Sequence, residues 1–319
     1  MKQFLLYIVQ ILVGSFLLSY AVQLAADSGL KKMKNTLFSE WNAILKGTIN
    51  ADMVILGSSR GVVSYDPDLL SAASNNKVHN LSFNAGSYNL QELKYNLYAE
   101  HNKKPKIILQ NVDLAHFTPS AQLPEEHQFL PYLDDQGLKK GLGLFDSRYL
   151  WVDRIPLLKY NTQKRFLGIG LGSFLGKKFK NKDAVTDGFS PKSIAFKRDV
   201  HNLKRLSDPA FKRSYEKDLA QMKSFVKARI KDSIAVILVW APEYKERLAV
   251  GRRLTQPLKQ ALADFAKEQK GVCFLDMSED SLSQSSDYFY DTFHLNTKGA
   301  HLFSATLAQK IKDLERNAY

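Results

Sequence analysis

Residues 53–60 read MVILGSSR, a short apolar run that ends in Gly57, Ser58, Ser59 and Arg60. Four apolar residues followed by a turn signal are typical of a strand that is buried on both faces, as in a parallel sheet. A turn of this kind at the end of a strand can hold a hydroxyl group exposed, with backbone N–H groups nearby. The stretch therefore predicts a buried first strand with Ser59 at the edge of the sheet where such folds bind ligands.

Strand-like and helix-like segments alternate outward from this stretch. Apolar strand segments are predicted at 53–57, 78–83, 106–112, 233–240 and 271–277. Amphipathic helical segments are predicted at 67–73, 89–102, 209–230, 244–267 and 297–314. The alternation predicts a three-layer α/β/α domain with a five-stranded parallel sheet, whose ligand crevice lies at the carboxyl ends of the strands.

The first thirty residues predict a membrane segment. From Phe4 to Ala26 the chain carries no charged residue, and a helix of that length can cross a hydrocarbon core of about 30 Å. A cleaved signal peptide is the alternative, but cutting after Ala26 would place Leu24 where a small residue belongs. A buried core helix is disfavoured because these polar residues form no consistent face: Gln10, Ser15, Ser19 and Gln23. We therefore predict an N-terminal transmembrane helix, retained as a signal anchor, over residues 1–30.

The rest of the chain is predicted to form a connecting helix and one domain. Residues 31–50 are predicted as the connecting helix, and residues 51–319 as the domain, interrupted at about 114–205 by a basic insertion. The apolar residues of the connecting helix recur at a spacing of four: Met33, Leu37, Trp41 and Leu45.

Charge limits the classes of partner. The chain carries a net charge of +13, from 45 Lys and Arg against 32 Asp and Glu, which indicates nucleic acid, anionic lipid headgroups or an acidic polymer. The insertion holds 16 Lys and Arg against 9 Asp and Glu, more than half of the surplus. Its glycine-rich run at 168–176 lacks the preceding strand of a phosphate-binding loop. We interpret the insertion as a cap with a basic surface, and the missing nucleic-acid-reading motifs argue against nucleic acid.

Metal and disulfide chemistry have little support in the sequence. Cys273 is the single cysteine, which excludes an intramolecular disulfide and a thiolate metal cluster. The histidines outside the candidate site show no ligand spacing with a second His or a Cys: His79, His101, His116, His127, His201 and His301. We therefore predict neither a metal site nor a cofactor.

A second polar cluster stands just before the last predicted helix, at 291–295, which reads DTFHL. Such an Asp and His pair can arise by chance, but its place is informative because both clusters fall on the same edge of the predicted sheet. Ser59, His294 and Asp291 are the residue types of nucleophilic acyl transfer. Two alternatives stay open at this point: Ser59 can simply cap the following helix, and His294 can be an ordinary packed histidine.

These two clusters resemble the SGNH, or GDSL-like, hydrolase family. The resemblance covers 51–115 and 233–316 and implies a flavodoxin-like three-layer fold. It implies that Ser59 is the nucleophile, that His294 is the base, and that Asp291 is the acid that orients the base.

The middle motifs of that family match less closely. The resemblance implies an oxyanion hole formed by the backbone N–H groups of Ser59 and Gly86 and by the Asn111 amide. Ser58 stands where the family has Asp, and residues 110–113 read QNVD where the family has Gly-x-Asn-Asp.

Two further residues are predicted to bind substrate, each with an alternative. Arg60 either recognises an acidic substrate or pairs with a carboxylate, and Asp113 either contacts substrate or caps the turn after its strand.

The closer likeness is to membrane-anchored envelope proteins of the alginate-acetylation and teichoic-acid-alanylation type. It implies a serine esterase or O-acyltransferase that adds or removes acyl groups, acetyl above all, on a bacterial envelope glycan. The alternative is a non-catalytic relative that binds a glycan or an acyl-transfer partner. Hydrolysis and transfer both stay open. The implied partners are an acylated substrate, the membrane and a multispanning membrane acyltransferase.

The resemblance also decides the expected location. Lys2 on one side of the apolar segment faces Lys31, Lys32 and Lys34 on the other, a bias that by itself favours a cytoplasmic domain. An acyl-transfer site behind a retained anchor instead suits the cytoplasmic membrane of a bacterium with the domain outside. We expect that orientation.

Overall fold

The computed structural model describes residues 1–115, 117, 123–179, 185–212 and 214–317. The chain forms two compact units. Unit 1 comprises residues 1–46 and 121–185, and unit 2 comprises residues 47–120 and 186–319. The middle of the predicted insertion therefore belongs with the N-terminal helices, and its two ends belong with the sheet.

Unit 2 contains a five-stranded parallel sheet in the order β2-β1-β3-β4-β5, as the sequence predicted. In this register Met53 lies opposite Val78 on one side and Ile107 on the other. This is the strand order of flavodoxin-like folds, which bind ligands where the order reverses, at the carboxyl ends of β1 and β3. The strands are β1 Met53–Leu56, β2 Val78–Asn80, β3 Ile107–Asn111, β4 Ala235–Trp240 and β5 Val272–Asp276.

Helices cover the sheet because its strands are apolar on both faces. On one face, residues of β1, β3 and β4 join α4 and α11 in a single buried cluster that includes Ile55, Leu70 and Phe303. Elsewhere in the unit, Phe225 of α9 packs edge-on against Tyr88 and Tyr95 of α5. The helices of unit 2 are α3 Ser59–Ser64, α4 Pro67–Ser74, α5 Tyr88–His101, α8 Val200–Ser207, α9 Glu216–Lys231, α10 Lys245–Glu268 and α11 Thr297–Asn317.

Unit 1 is helical and packs around the C-terminal turns of the long N-terminal helix, where Gln23, Ala26, Gly29 and Leu30 are buried. Among the described residues, one helix, α1, has the length and the apolar composition needed to cross a membrane. Short 3-10 turns connect the helices of the second stretch. The helices of unit 1 are α1 Lys2–Lys31, α2 Leu37–Leu45, α6 Gln136–Gly143 and α7 Lys164–Phe174.

Three segments differ from the sequence-based prediction. The helix predicted over 209–230 starts at Glu216, whose carboxylate accepts hydrogen bonds from Ser214 and the Tyr215 N–H group and so fixes the first turn there. The strand predicted over 78–83 is regular only to Asn80. The Leu81 and Phe83 N–H groups still donate to Ile55 and Gly57, but the Asn80 side chain accepts the Ser82 N–H bond, a local contact that competes with regular strand geometry. The single helix predicted over 31–50 is not observed as such. Helix α1 continues to Lys31, and α2 is a separate helix over Leu37–Leu45.

Candidate active site

The turn from β1 into α3 presents Ser59. Ser58 is the N-cap residue of α3, and Ser59 is its first residue. A side chain at Gly57 would be crowded, because a Cβ there would lie 3.0 Å from the Asn111 Cβ and 3.1 Å from the Ser82 Oγ. Glycine at this position lets β1, β3 and α3 approach closely, and the tight turn leaves Ser59 partly exposed.

The loop before α11 presents Asp291 and His294 with fixed geometry. Oδ1 of Asp291 accepts hydrogen bonds from the backbone N–H groups of Phe293 and His294, both at 2.7 Å. Asn296 closes the loop by accepting the Gly299 N–H bond at the start of α11. Because Oδ1 accepts these two N–H bonds from its own loop, the Asp291 carboxylate is held in its orientation toward the His294 ring.

The two loops bring the three predicted catalytic residues together. The Ser59 Oγ lies 2.8 Å from the His294 Nε2, across 235 positions of sequence. The His294 Nδ1 lies 2.8 Å from the Asp291 Oδ2. Because an ionised carboxylate can only accept, Nδ1 carries the ring proton and Nε2 is left to accept from the serine hydroxyl. This is the tautomer that a serine nucleophile needs.

Asp291 is ionised despite its partial burial. Burial alone raises the pKa of its carboxyl group, but the bonds from the His294 ring and from two backbone N–H groups outweigh burial and lower that pKa below its ordinary value. The side chains of His294 and Asp291 are 17% and 24% exposed. A substrate can therefore reach the ring, and the carboxylate keeps its charge in the neutral range.

Gly86, a predicted oxyanion donor, lies in a turn that is tied to the same edge of the sheet. The Phe83 N–H group donates to the Gly57 carbonyl at 3.0 Å. Ala85 has a φ of 51°, a left-handed conformation that a non-glycine residue adopts at some cost. The Gly86 carbonyl accepts from the Gln91 side chain at 3.0 Å, and the Gly86 N–H group makes only a long 3.4 Å bond to Phe83. The role of this N–H group in an oxyanion hole stays a prediction.

Asn111 and Asp113 lie below the site, not at its surface. Both are fully buried. The Asn111 side chain accepts from the Tyr65 hydroxyl at 2.9 Å and donates to the Asp113 Oδ2 at 3.0 Å, and the Ser58 hydroxyl donates to the same oxygen at 3.3 Å. The predicted contact of Asp113 with substrate needs correction, since its carboxylate serves the strand-end network. The same network engages the Asn111 amide that was predicted to face an oxyanion.

Arg60 also needs correction as a substrate-binding residue. Its side chain is fully buried and forms a 3.2 Å salt bridge with Glu243, so of the two alternatives the structure shows carboxylate pairing. Its second terminal nitrogen donates to the carbonyls of Ala241 and Pro242 at 2.6 and 2.8 Å. The guanidinium therefore fixes the start of α3 from inside the molecule and offers no surface to a ligand.

Sequence reasoning missed Glu243 and Arg247. The Glu243 carboxylate accepts from Arg60 and the Trp240 indole through Oε1, and from Arg247 through Oε2. The Arg60 and Arg247 guanidinium carbons lie 4.7 and 3.9 Å from the centre of the Phe293 ring. One buried carboxylate thus links the residue after Ser59 with the residue before His294. The available signal was the position of Glu243, just after the carboxyl end of β4.

The structure describes His127 but not His116, two of the remaining histidines. His127 belongs to unit 1, where its ring stacks on Phe166 at 3.8 Å. In the described ranges, no group of three or more His, Cys, Asp or Glu residues is placed to hold a metal ion.

Two solved structures are similar to the chain at low identity. A Streptococcus pneumonia protein provisionally assigned as a platelet activating factor aligns over 95% of this chain and 98% of its own, with 12% identity and a TM-score of 0.42. An acetyl xylan esterase from the rumen bacterium Butyrivibrio proteoclasticus aligns over 83% of this chain and 63% of its own, with 12% identity and a TM-score of 0.34. No protein-family model and no curated protein matches the chain.

Proposed function

We propose that the protein is a serine esterase or O-acyltransferase that works through an acyl-serine intermediate. The observation that carries this proposal is the continuous path of two 2.8 Å contacts from the Ser59 hydroxyl through the His294 ring to the Asp291 carboxylate. These residues come from two loops at the carboxyl edge of the sheet, the position at which parallel α/β folds carry their sites.

The geometry supports a two-step reaction. His294 takes the proton of Ser59 as the oxygen attacks an ester carbonyl, and Asp291 stabilises the imidazolium that forms. The imidazolium then protonates the leaving alcohol, and the acyl group remains on Ser59. Water or a sugar hydroxyl, deprotonated by His294, attacks the acyl-serine and restores the enzyme. The backbone N–H groups of Ser59 and Gly86 are the proposed oxyanion donors, each typically worth about 3 kcal/mol in the transition state.

The proposed substrate is an acylated envelope glycan, with acetyl as the proposed acyl group. Two features support this assignment: the apolar helix α1, which we propose is a retained membrane anchor, and the net charge of +13, which suits an anionic polymer or membrane. We place the catalytic unit outside the cytoplasmic membrane of a bacterium, with a multispanning acyltransferase as the proposed partner.

Covalent labelling tests the catalytic proposal. The full-length protein in detergent is expected to react with a fluorophosphonate probe and to hydrolyse p-nitrophenyl acetate. Ser59→Ala should abolish labelling, and His294→Gln should lower turnover by at least about 10³-fold. Ser58→Ala is the matched control, because its hydroxyl points to Asp113 and its loss should leave labelling of Ser59 intact.

The alternative, a non-catalytic module that binds glycan or a partner, makes the opposite prediction. A protein that binds envelope polysaccharide equally well with Ser59→Ala, and that forms no covalent adduct as wild type, would support it. Transfer and hydrolysis are separated by supplying an acyl donor with and without a glycan acceptor and measuring acyl groups on the glycan.

A further inference from the structure

The exposed part of α1 has the length of a membrane span, and it ends where unit 1 begins to cover the helix. Residues 4–22 carry no charge and are almost entirely exposed, whereas Gln23 is buried. At about 1.5 Å per residue these 19 positions measure about 28 Å, close to the hydrocarbon core of a bilayer. The change from exposed to buried therefore marks the height at which the lipid headgroups would lie.

The last two turns of α1 are built into unit 1 by polar contacts. The Gln23 side chain accepts the Leu157 N–H bond at 2.7 Å, and Asp27 pairs with Lys159 at 2.7 Å and accepts from the Tyr160 hydroxyl at 2.5 Å. A helix held by such buried contacts is a structural part of the unit. The Gln23 and Leu157 contact lies at the end of the exposed span, so the chain around Leu157 lies near the lipid boundary.

Helix α7 packs alongside α1 and runs in the same direction. The Gly170 backbone packs against Ala26, and one turn later the Phe174 backbone packs against Gly29. Both contacts advance along the two helices in the same direction, so the helices are parallel. Six residues before Gly170 is Lys164, at the start of α7, and six before Ala26 is Tyr20. The first turn of α7 therefore stands beside the end of the exposed span.

The side chains around this boundary have the composition of a bilayer interface. Trp151 and Ile155, just before Leu157, are 43% and 49% exposed, and Tyr20 of α1 is 44% exposed. The cationic residues of the same segments are also exposed: Arg154, Lys164 and Arg165. Tryptophan and tyrosine prefer the headgroup region, and Lys and Arg there attract anionic lipids.

The geometry points to a membrane-seating surface on unit 1, formed by Trp151, Arg154, Ile155, Lys164 and Arg165, that contacts anionic phospholipid headgroups. The inference rests on α1 being the membrane span proposed above. It goes beyond anchoring, because it fixes which face of unit 1 lies on the bilayer.

Depth-dependent quenching of tryptophan fluorescence tests this surface. The protein has three tryptophans, and Trp41 and Trp240 are 1% and 0% exposed, so lipid-borne quenchers report on Trp151. The full-length protein is placed in nanodiscs of phosphatidylcholine and phosphatidylglycerol carrying a nitroxide either near the headgroup or at the bilayer centre. We expect the headgroup quencher to remove up to about a third of the emission, more than the central quencher, because tryptophan prefers the interface. Trp151→Phe should abolish this difference.

Charge reversal tests the basic residues. Lys164→Glu with Arg165→Glu should reduce the quenching, and removal of phosphatidylglycerol should do the same in the wild type. Lys204→Glu with Arg205→Glu is the matched control, since it reverses an exposed Lys-Arg pair on α8 of unit 2.

Two results would overturn the inference outright: no quenching in nanodiscs that contain the protein, or stronger quenching from the bilayer centre. Quenching that changes neither when phosphatidylglycerol is removed nor when the charges at 164 and 165 are reversed would also overturn it. Failure of the protein to enter nanodiscs at all would instead refute the span. Neither result bears on labelling of Ser59, so the catalytic proposal is tested separately.

Discussion

At the scale of single residues, Asp291 does three tasks with one carboxylate. It gathers the N–H groups of Phe293 and His294, it sets the tautomer of the His294 ring, and it supplies negative charge beside that ring. The backbone bonds fix the loop, and the bond to the ring prepares the chemistry. A substitution that keeps shape but removes charge should therefore affect rate more than fold.

We predict that Asp291→Asn lowers ester turnover by roughly 10³–10⁴-fold, because the amide favours the wrong ring tautomer and does not stabilise the imidazolium. The measurement is the turnover of an activated acetyl ester alongside the melting temperature of each protein. A variant with full turnover would show that Asp291 only shapes its loop.

The same carboxylate makes stability depend on pH in acid. Its pKa is lowered in the folded protein, so its contribution to the free energy of unfolding is present above its ordinary pKa of about 4 and is lost as pH falls through the folded value. Between pH 5 and pH 3, wild type should lose more stability than Asp291→Asn in chemical denaturation. An equal loss in both proteins would contradict this assignment.

At the scale of elements, one buried carboxylate joins three pieces of secondary structure. Glu243 follows β4, and its two oxygens receive Arg60 of α3 and Arg247 of α10. Burial lowers the pKa of Arg247, and the neighbouring Glu243 opposes that shift. The two arginines depend on this carboxylate because they are enclosed with little access to water.

We predict that Glu243→Ala lowers the free energy of unfolding by about 3–5 kcal/mol, because it leaves two buried guanidinium groups without their carboxylate. Glu246→Ala is the matched control: it removes a pair with Arg198 whose side chains are 35% and 55% exposed, and it should cost less than about 1 kcal/mol. Denaturant unfolding of both variants measures the difference. Similar small losses would mean that the Arg60 and Arg247 charges are compensated elsewhere.

Two glycines in α7 give a second comparison between elements. A Cβ at Gly170 would overlap the backbone of Ala26 in α1, whereas a Cβ at Gly168 would meet nothing within 4 Å. We predict that Gly170→Ala destabilises unit 1 by separating α7 from α1, while Gly168→Ala is neutral or stabilises it by about 0.5–1 kcal/mol through helix propensity. Limited proteolysis of unit 1 in detergent distinguishes them, and equal protection would contradict the close packing.

At the scale of the whole molecule, the sheet and the N-terminal helix were predictable, and the assembly of unit 1 was not. Runs such as residues 233–240 are apolar, β-branched and bounded by turn signals, and every predicted strand overlaps an observed one. The assembly of unit 1 escaped prediction because it joins two distant stretches, and the short turns of the second stretch carry little periodicity. Contacts such as Trp41 to Gln128 depend on tertiary packing and leave no local signal.

The candidate site was likewise predictable only in part. Ser59, Asp291 and His294 were identifiable because each stands at an element boundary where chemistry-bearing residues are informative. Burial was not identifiable: Arg60 and Asp113 were predicted to bind substrate, with carboxylate pairing and turn capping as the alternatives, and only the folded chain shows that each is enclosed by partners. A charged residue at a strand end can bind a ligand or can pair with a partner inside the core, and sequence spacing does not distinguish these two roles.

The 235 positions between Ser59 and His294 have a consequence for biosynthesis. A polypeptide leaves the ribosome amino end first, so the Ser59 hydroxyl emerges long before the His294 imidazole. In the proposed mechanism the nascent chain therefore carries a serine no more reactive than any other. The proposed acyl chemistry would begin only after the loop before the last helix has docked, when synthesis of the chain is nearly complete.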